Sequence, residues 1–188
     1  MKFITGSFKD LQPQLMTQVA RYRHKVFVEK LGWQLQCEDA LEYDQFDRDD
    51  TLYVVVQGDH GDIVGTARLL PTSQPYLLGE VFPQLLHGLP PPCSDEVWEI
   101  SRLAAVDFNA KFTSPTKSSA SPIMVGLLNA SLACAGAHGA KKLVSVSPVG
   151  IERLLYRAGF VMHRMGAPVV VNGAPIMACM MSVPEGCF

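Results

Sequence analysis

Charge of one sign is what this chain most obviously lacks: 16 lysines and arginines stand against 18 aspartates and glutamates in 188 residues, a formal net charge of -2. Binding nucleic acid without regard to sequence needs a basic footprint, so no nucleic-acid partner is expected. No apolar run is long enough to cross a bilayer. The opening residues Met1-Lys2-Phe3-Ile4-Thr5-Gly6-Ser7 have no long apolar core of the secretory kind. A cytoplasmic protein that does not engage membranes is therefore expected. Cys37, Cys93, Cys134, Cys179 and Cys187 are odd in number, scattered and without C-x-x-C spacing, which favours reduced thiols over disulfides or a zinc site. His24, His60, His87, His138 and His163 lack ligand spacing as well, so no metal is expected. G-x-S-x-G is absent, and Gly58-Asp59-His60-Gly61 reads as a turn, not as a phosphate loop. Repeats, low-complexity tracts and interdomain linkers are missing, which leaves a single domain over residues 1–188.

Apolar residues make up 48 % of the chain and charged residues 18 %, a globular composition with enough material for one sizeable core. Residues 2–6 read as a strand. Leu15, Val19, Tyr22 and Val26 repeat at helical spacing within a helix over 12–31 that Gly32 ends. The β-branched runs 51–57 and 63–70 read as a hairpin, with a short helix at 81–86 after it. Pro90-Pro91-Pro92 separates these from a strand at 96–106. A helix opens at Ser121-Pro122 and runs to about His138. A strand at 142–147, a helix at 149–158 closed by Gly159, and strands near 160–164 and 174–183 complete the chain. This order predicts an α/β fold, a mixed sheet with helices on both faces. It also suits the N-acetyltransferase-like fold, a three-layer α-β-α sandwich whose mixed central sheet splays to admit an acyl donor.

Charge is scarce in the strands, with one conspicuous exception: Trp98-Glu99-Ile100-Ser101-Arg102-Leu103-Ala104 carries a glutamate and an arginine three apart in a β-prone run. Regular alternation puts Glu99, Ser101 and Leu103 on one face and Trp98, Ile100 and Arg102 on the other. Charges seldom enter a buried strand unless they are paired or functional. On this run alone, a reactive site and a plain internal ion pair stand level.

The N-terminal half adds to the pattern. Arg23 and Phe27 lie four apart on one helix face, Trp33 follows the helix, Asp44 and Asp47 sit in an acidic loop, and Arg68 lies in the second hairpin strand. Phe82 precedes the Glu99–Arg102 run. Singly, each has an ordinary reading as core aromatic, solvated acid or strand cation. Together, Arg23-x-x-x-Phe27, Trp33, Asp44-x-x-Asp47, Gly65-x-x-Arg68, Phe82 and Glu99-x-x-Arg102 resemble, in order and spacing, the signature of the acyl-homoserine-lactone synthases, the autoinducer synthases of quorum sensing. The resemblance covers roughly residues 3–165.

That resemblance implies an acyltransferase that joins an acyl chain from acyl carrier protein to the amino group of S-adenosylmethionine, then closes the lactone and releases methylthioadenosine; apolar contact in the expected pocket favours a medium-length chain. Adenosylmethionine would be a substrate, not a cofactor. Arg23, Phe27, Trp33, Asp44, Asp47, Arg68 and Phe82 are expected to shape its pocket, because a zwitterion with a sulfonium needs anions, cations and aromatic faces. Glu99 is the candidate base for the amine, with Arg102 tuning it. A backbone N–H between Ser101 and Ala104 is expected to meet the thioester oxyanion. Leu103, Met124, Leu128, Val144, Ser145 and Leu155 are expected to line the acyl pocket. Lys141, Lys142, Arg153, Arg157 and Arg164 are expected to form a basic face for an acidic carrier protein. The alternative is an N-acyltransferase using acyl-coenzyme A. Such enzymes usually carry Arg/Gln-x-x-Gly-x-Gly/Ala after the central strand, where this chain reads Val106-Asp107-Phe108-Asn109-Ala110-Lys111 without those glycines.

Overall fold

The computed structural model describes residues 1–110 and 121–184. The chain runs β1 (Lys2–Ser7), α1 (Pro13–Arg23), a π-helical turn (His24–Lys30), β2 (Leu52–Gln57), β3 (Ile63–Pro71), α2 (Leu77–Glu80), a 3-10 turn (Pro83–Leu86) and β4 (Val97–Ala105). It continues as α3 (Pro122–Ala137), β5 (Lys142–Pro148), α4 (Val149–Arg157), β6 (His163–Arg164), β7 (Val169–Val171) and β8 (Ala174–Ser182). The strands lie in the order β1-β2-β3-β4-β5-β8-β6, with β7 on β8. Only β4 and β5 run parallel; the other described pairs are antiparallel.

Alternation along the strands builds the layers. On β2, Leu52, Val54 and Val56 face a cluster that also holds Leu127, Leu128 and Leu132 of α3 and Leu155 of α4. Tyr53 and Val55 face the other way, onto Met16, Val19, Tyr22, Val26 and Phe27. A third cluster joins Phe46, Leu70, Leu78, Leu85, Leu86, Val144 and Ala178. Helices thus cover both faces, in the three-layer α-β-α arrangement of the N-acetyltransferase-like fold.

Two features shape the centre. The pairing of β4 with β5 covers only Val97↔Lys142, Trp98↔Leu143 and Glu99↔Val144, although both strands continue. Beyond Glu99 they splay. The register between β3 and β4 slips between Thr66 and Arg68, leaving Arg102 and Leu103 opposite Ala67. Arg102 sits there at φ 51°, in the left-handed region. Such a bulge bends its strand and re-aims side chains. Strict alternation therefore fails at Arg102: its side chain joins Glu99 and Ser101 on the face of α1, and Leu103 turns with Ile100 towards α3.

The other departures have local causes. The first helix widens into a π turn at His24, a distortion common near functional sites. Pro83 starts its own 3-10 turn, so the helix expected over 81–86 is split from α2 at Phe82. The last hairpin turns at Asn172 and Gly173, with φ 49° and 79°. Asn-Gly is the strongest short hairpin signal, and it supplies the strand β7 that the sequence reading omitted.

Candidate active site

Three arginines and three carboxylates fill the space between α1, the 42–47 loop and the centre of the sheet. Arg23, at the end of α1, gives Nε to Glu42 Oε2 at 2.5 Å and forks Nη1 and Nη2 onto Asp47 at 2.7 and 3.0 Å. Arg68, from β3, donates to both Asp44 oxygens at 2.5 and 3.1 Å, to Asp47 Oδ1 at 3.0 Å and to Ser101 Oγ at 3.1 Å. Arg102 donates to Glu42 at 2.9–3.2 Å and to Asp44 Oδ2 at 2.7 Å. The Tyr53 hydroxyl donates to Asp47. The loop closes on itself as Asp44 N–H donates to Asp47 and Phe46 N–H to Asp44. Arg23 and Arg68 are fully buried, Glu42 and Asp47 nearly so, and Asp44 keeps 16 % of its side chain exposed. Three cations thus balance three anions, the condition under which charges survive burial.

Glu42 is the member the sequence reading missed. Arg23, Arg68 and Arg102 are matched in number by Asp44, Asp47 and Glu99, so charge counting gives no signal for a further acid. Nor does it single out Glu42 among the neighbouring acids Glu38, Asp39, Asp49 and Asp50.

Glu99 is fully buried on the same face. Its oxygens accept the N–H groups of Leu77 and Leu78 at 3.0 and 2.7 Å, clasping the start of α2. Burial raises its carboxyl above the usual range, against the lowering effect of those N–H groups and of Arg68 and Arg102. Phe27 and Trp33 stack at 4.7 Å between ring centroids, 25° apart, with Trp33 41 % exposed. The Arg102 guanidinium lies 5.7 and 5.9 Å from those two rings. Arg23, Phe27, Trp33, Asp44, Asp47, Arg68 and Arg102 thus form one connected set. Phe82 instead borders the third cluster, near α2.

The expected acyl-lining residues divide. Leu128 and Leu155 lie in the first cluster, and Leu103 and Met124 pack against it. Ser145 is buried, with its hydroxyl 3.3 Å from that of Ser147. Val144 is the exception: it belongs to the third cluster on the opposite face, because neighbours in a strand point to opposite sides. Of the expected basic face, Lys141 is tied to Glu96 at 2.5 Å and Arg164 forks onto Glu152. Lys142, Arg153 and Arg157 are exposed.

A family model for autoinducer synthases matches residues 7–187. The acyl-homoserine-lactone synthase of Acinetobacter nosocomialis is 49 % identical over 183 residues, 97 % of this chain and 100 % of the relative. Among solved structures, TofI in a ternary complex with an inhibitor and MTA superposes with a TM-score of 0.83 at 41 % identity, covering 97 % of this chain and 92 % of that one. BjaI, a CoA-dependent acyl-homoserine lactone synthase solved with SAM and isopentyl-CoA, gives 0.83 at 26 % identity over 97 % and 83 %.

Proposed function

This chain belongs to the autoinducer synthase family and is an acyl-homoserine-lactone synthase, hence an acyltransferase; on that footing we propose that it takes a medium-length acyl chain from acyl carrier protein. The amino group of S-adenosylmethionine attacks the thioester, so a C–N bond forms and the carrier thiol leaves. The substrate carboxylate then attacks the carbon beside the sulfonium, and that C–S bond breaks to give lactone and methylthioadenosine. The second step is intramolecular and needs conformation more than groups. Adenosylmethionine is consumed as a substrate, no further cofactor is invoked, and the reaction is assigned to the cytoplasm. No helix among the described residues is long and apolar enough to cross a membrane.

The observation that carries this reading is the neutral arginine–carboxylate cluster beside the stacked Phe27–Trp33 pair. Its arginines are committed to Glu42, Asp44 and Asp47, so they position acids. Asp44, the most exposed of the three acids, is the one to meet the amino group or sulfonium. Phe27 and Trp33 present a face for adenine or the sulfonium, with Phe82 on the α2 side. Glu99 takes the amine proton, directly or through one water. A backbone N–H of the splayed segment from Ser101 to Ala104 meets the oxyanion.

The preference for carrier protein over coenzyme A has a local basis. Asp107 Oδ1 already accepts the N–H groups of Asn109 and Ala110 at 2.8 and 3.1 Å. A pyrophosphate would meet a carboxylate there in place of free amides. The likeness to CoA-dependent BjaI keeps acyl-coenzyme A as the second reading. The protein with adenosylmethionine and either donor separates them: methylthioadenosine is expected with acyl carrier protein, and release with acyl-coenzyme A alone overturns the donor assignment.

Leu103, Met124, Leu128, Leu155 and Ser145 are assigned to the acyl chain. The Ser145 hydroxyl shares its hydrogen bond with Ser147, which supports an unsubstituted C3. Each buried methylene contributes about 0.8 kcal/mol, so a four-carbon chain is expected to lose about 3 kcal/mol against an eight-carbon one. Mass spectrometry of lactones from expressing cells should show a medium chain of about eight carbons dominant. A profile led by four-carbon or 3-oxo-twelve-carbon product contradicts this. Carrier docking is assigned in part to Lys142, Arg153 and Arg157, beside Lys141 and Arg164. Reversing Arg153 and Arg157 to Glu is expected to raise the KM for acyl carrier protein, more so at low salt. An unchanged KM removes α4 from the docking face.

A further inference from the structure

A second surface flanks the reaction centre on the side away from α4. A groove of about 240 Å³ runs between the exposed face of α1 and the β2–β3 turn, lined by Arg21, Tyr22, Lys25, Asp62, Phe108 and Asn109 among others. Its position is set by Tyr22. That hydroxyl donates to Val64 O at 3.0 Å and accepts Val106 N–H at 2.8 Å, pinning α1 to the strand end just past β4. The groove therefore opens beside the end of β4, the strand that parts from β5.

Its chemistry is selective. Phe108 is 47 % exposed. The edge of Tyr22 props its ring at 6.0 Å, and Lys25 Nζ sits 5.9 Å from its centroid. Arg21 and Lys25 are exposed, one turn apart on the helix, and neither makes an ion pair among the described residues. The acids nearby accept hydrogen bonds from neutral donors or contact a histidine. Asp62 accepts from Asn109 Nδ2 at 3.1 Å, Asp107 accepts two backbone N–H groups, and Glu29 contacts His24 at 3.1 Å. What faces a partner is two cations without an ion pair among the described residues and an exposed aromatic ring, with the hydrogen-bonded but still charged carboxylates of Asp62 and Asp107 beside them.

We propose that this α1 groove docks an acidic helix of the acyl carrier protein, with carboxylates on Arg21 and Lys25 and an apolar side chain on Phe108. The proposal rests on carrier protein being the donor. α1 and α4 pack on opposite faces of the sheet, so the carrier would meet basic side chains on both sides of the donor cleft. Aromatic rings and arginines are the side chains that most often anchor interfaces.

The test compares wild type with R21E/K25E, with the neutral pair R21Q/K25Q and with F108S, using acyl carrier protein and acyl-pantetheine as donors. None of these residues touches the reacting groups. Charge reversal is expected to raise the KM for acyl carrier protein about tenfold or more at low salt, with the neutral pair intermediate. The KM values for acyl-pantetheine and adenosylmethionine should stay unchanged, which also reports intact folding. F108S should raise the carrier KM without altering its salt dependence. Carrier KM values unchanged in the variants, in an enzyme that uses acyl carrier protein, overturn the docking surface alone. An equal rise with acyl-pantetheine overturns it too. A wild type that accepts only acyl-coenzyme A overturns the donor assignment and the docking with it.

Discussion

Glu42→Gln is expected to cost about 3–5 kcal/mol of folding stability, the range for leaving a buried charge without its partner. The glutamate links Arg23 to Arg102, accepting from both guanidinium groups. Glutamine keeps the outline but turns an N–H₂ towards one of the two arginines, and the cluster gains an uncompensated positive charge. It also loosens one of the two acids that hold Arg102 at its left-handed φ of 51°. The urea midpoint should fall, and the KM for adenosylmethionine should rise. A stability loss below about 1 kcal/mol would mean that the cluster tolerates the missing charge, contrary to the cost of an unpaired buried ion. The pH dependence follows the same residues. Burial opposes ionisation of Asp47 and Glu42, but the Arg23 charge overrides it for both, with Arg68 helping Asp47 and Arg102 helping Glu42, and both carboxyls are held below their ordinary range. A depressed native pKa stabilises above the unfolded value of about 4 and is lost as pH falls towards the native one. Wild type should lose stability below about pH 4, and Glu42→Gln should lose less of what it retains.

Glu99→Gln is expected to lower turnover on the order of a hundredfold or more, because the amine then lacks its base. The loss should fall mainly on kcat, since the hydrogen bonds of Glu99 among the described residues go to the backbone of Leu77 and Leu78 and glutamine keeps its outline. Its raised carboxyl gives the pH profile a direction: activity should decline as pH falls through that value, and this acidic limb should be missing from the residual rate of the variant. The sign for stability is opposite to that of Asp47. A raised native pKa favours the protonated fold, so the Glu99 contribution is largest at low pH and shrinks as pH rises through the native value. Glutamine also weakens one bond to α2, so thermal melting must accompany the kinetics. Near-normal turnover in a folded variant would reduce Glu99 to the clasp that holds α2.

Much of the fold was legible because its signals are local. The helical repeat survives as Val19, Tyr22 and Val26 buried along α1 and its π turn, with Leu15 half-buried against them. The proline that opens α3 and the glycine after α4 sit where their backbones require, with Gly159 at φ 90°. The Asn172-Gly173 turn was equally legible and was passed over. The resemblance to the signature of the acyl-homoserine-lactone synthases implied one pocket for Arg23, Phe27, Trp33, Asp44, Asp47, Arg68 and Arg102, and the structure connects them. Phe82, taken from the same resemblance, packs against the third cluster, and Val144, placed by its strand alone, belongs to that cluster.

The sequence alone therefore determined the layered α/β class, the resemblance to the family, and every charged member of the cluster but Glu42, since periodicity, turn chemistry and motif order are written along the chain. Tertiary structure decided the rest. The bulge at Arg102 comes from the register of β4 against β3. It reverses the face that simple alternation assigns, and beyond Glu99 β4 parts from β5. Glu42 acquires its role only when a loop acid, a helix arginine and a strand arginine are buried together. In a low-dielectric interior charge must balance locally, and no single segment of the chain contains all the charges that balance.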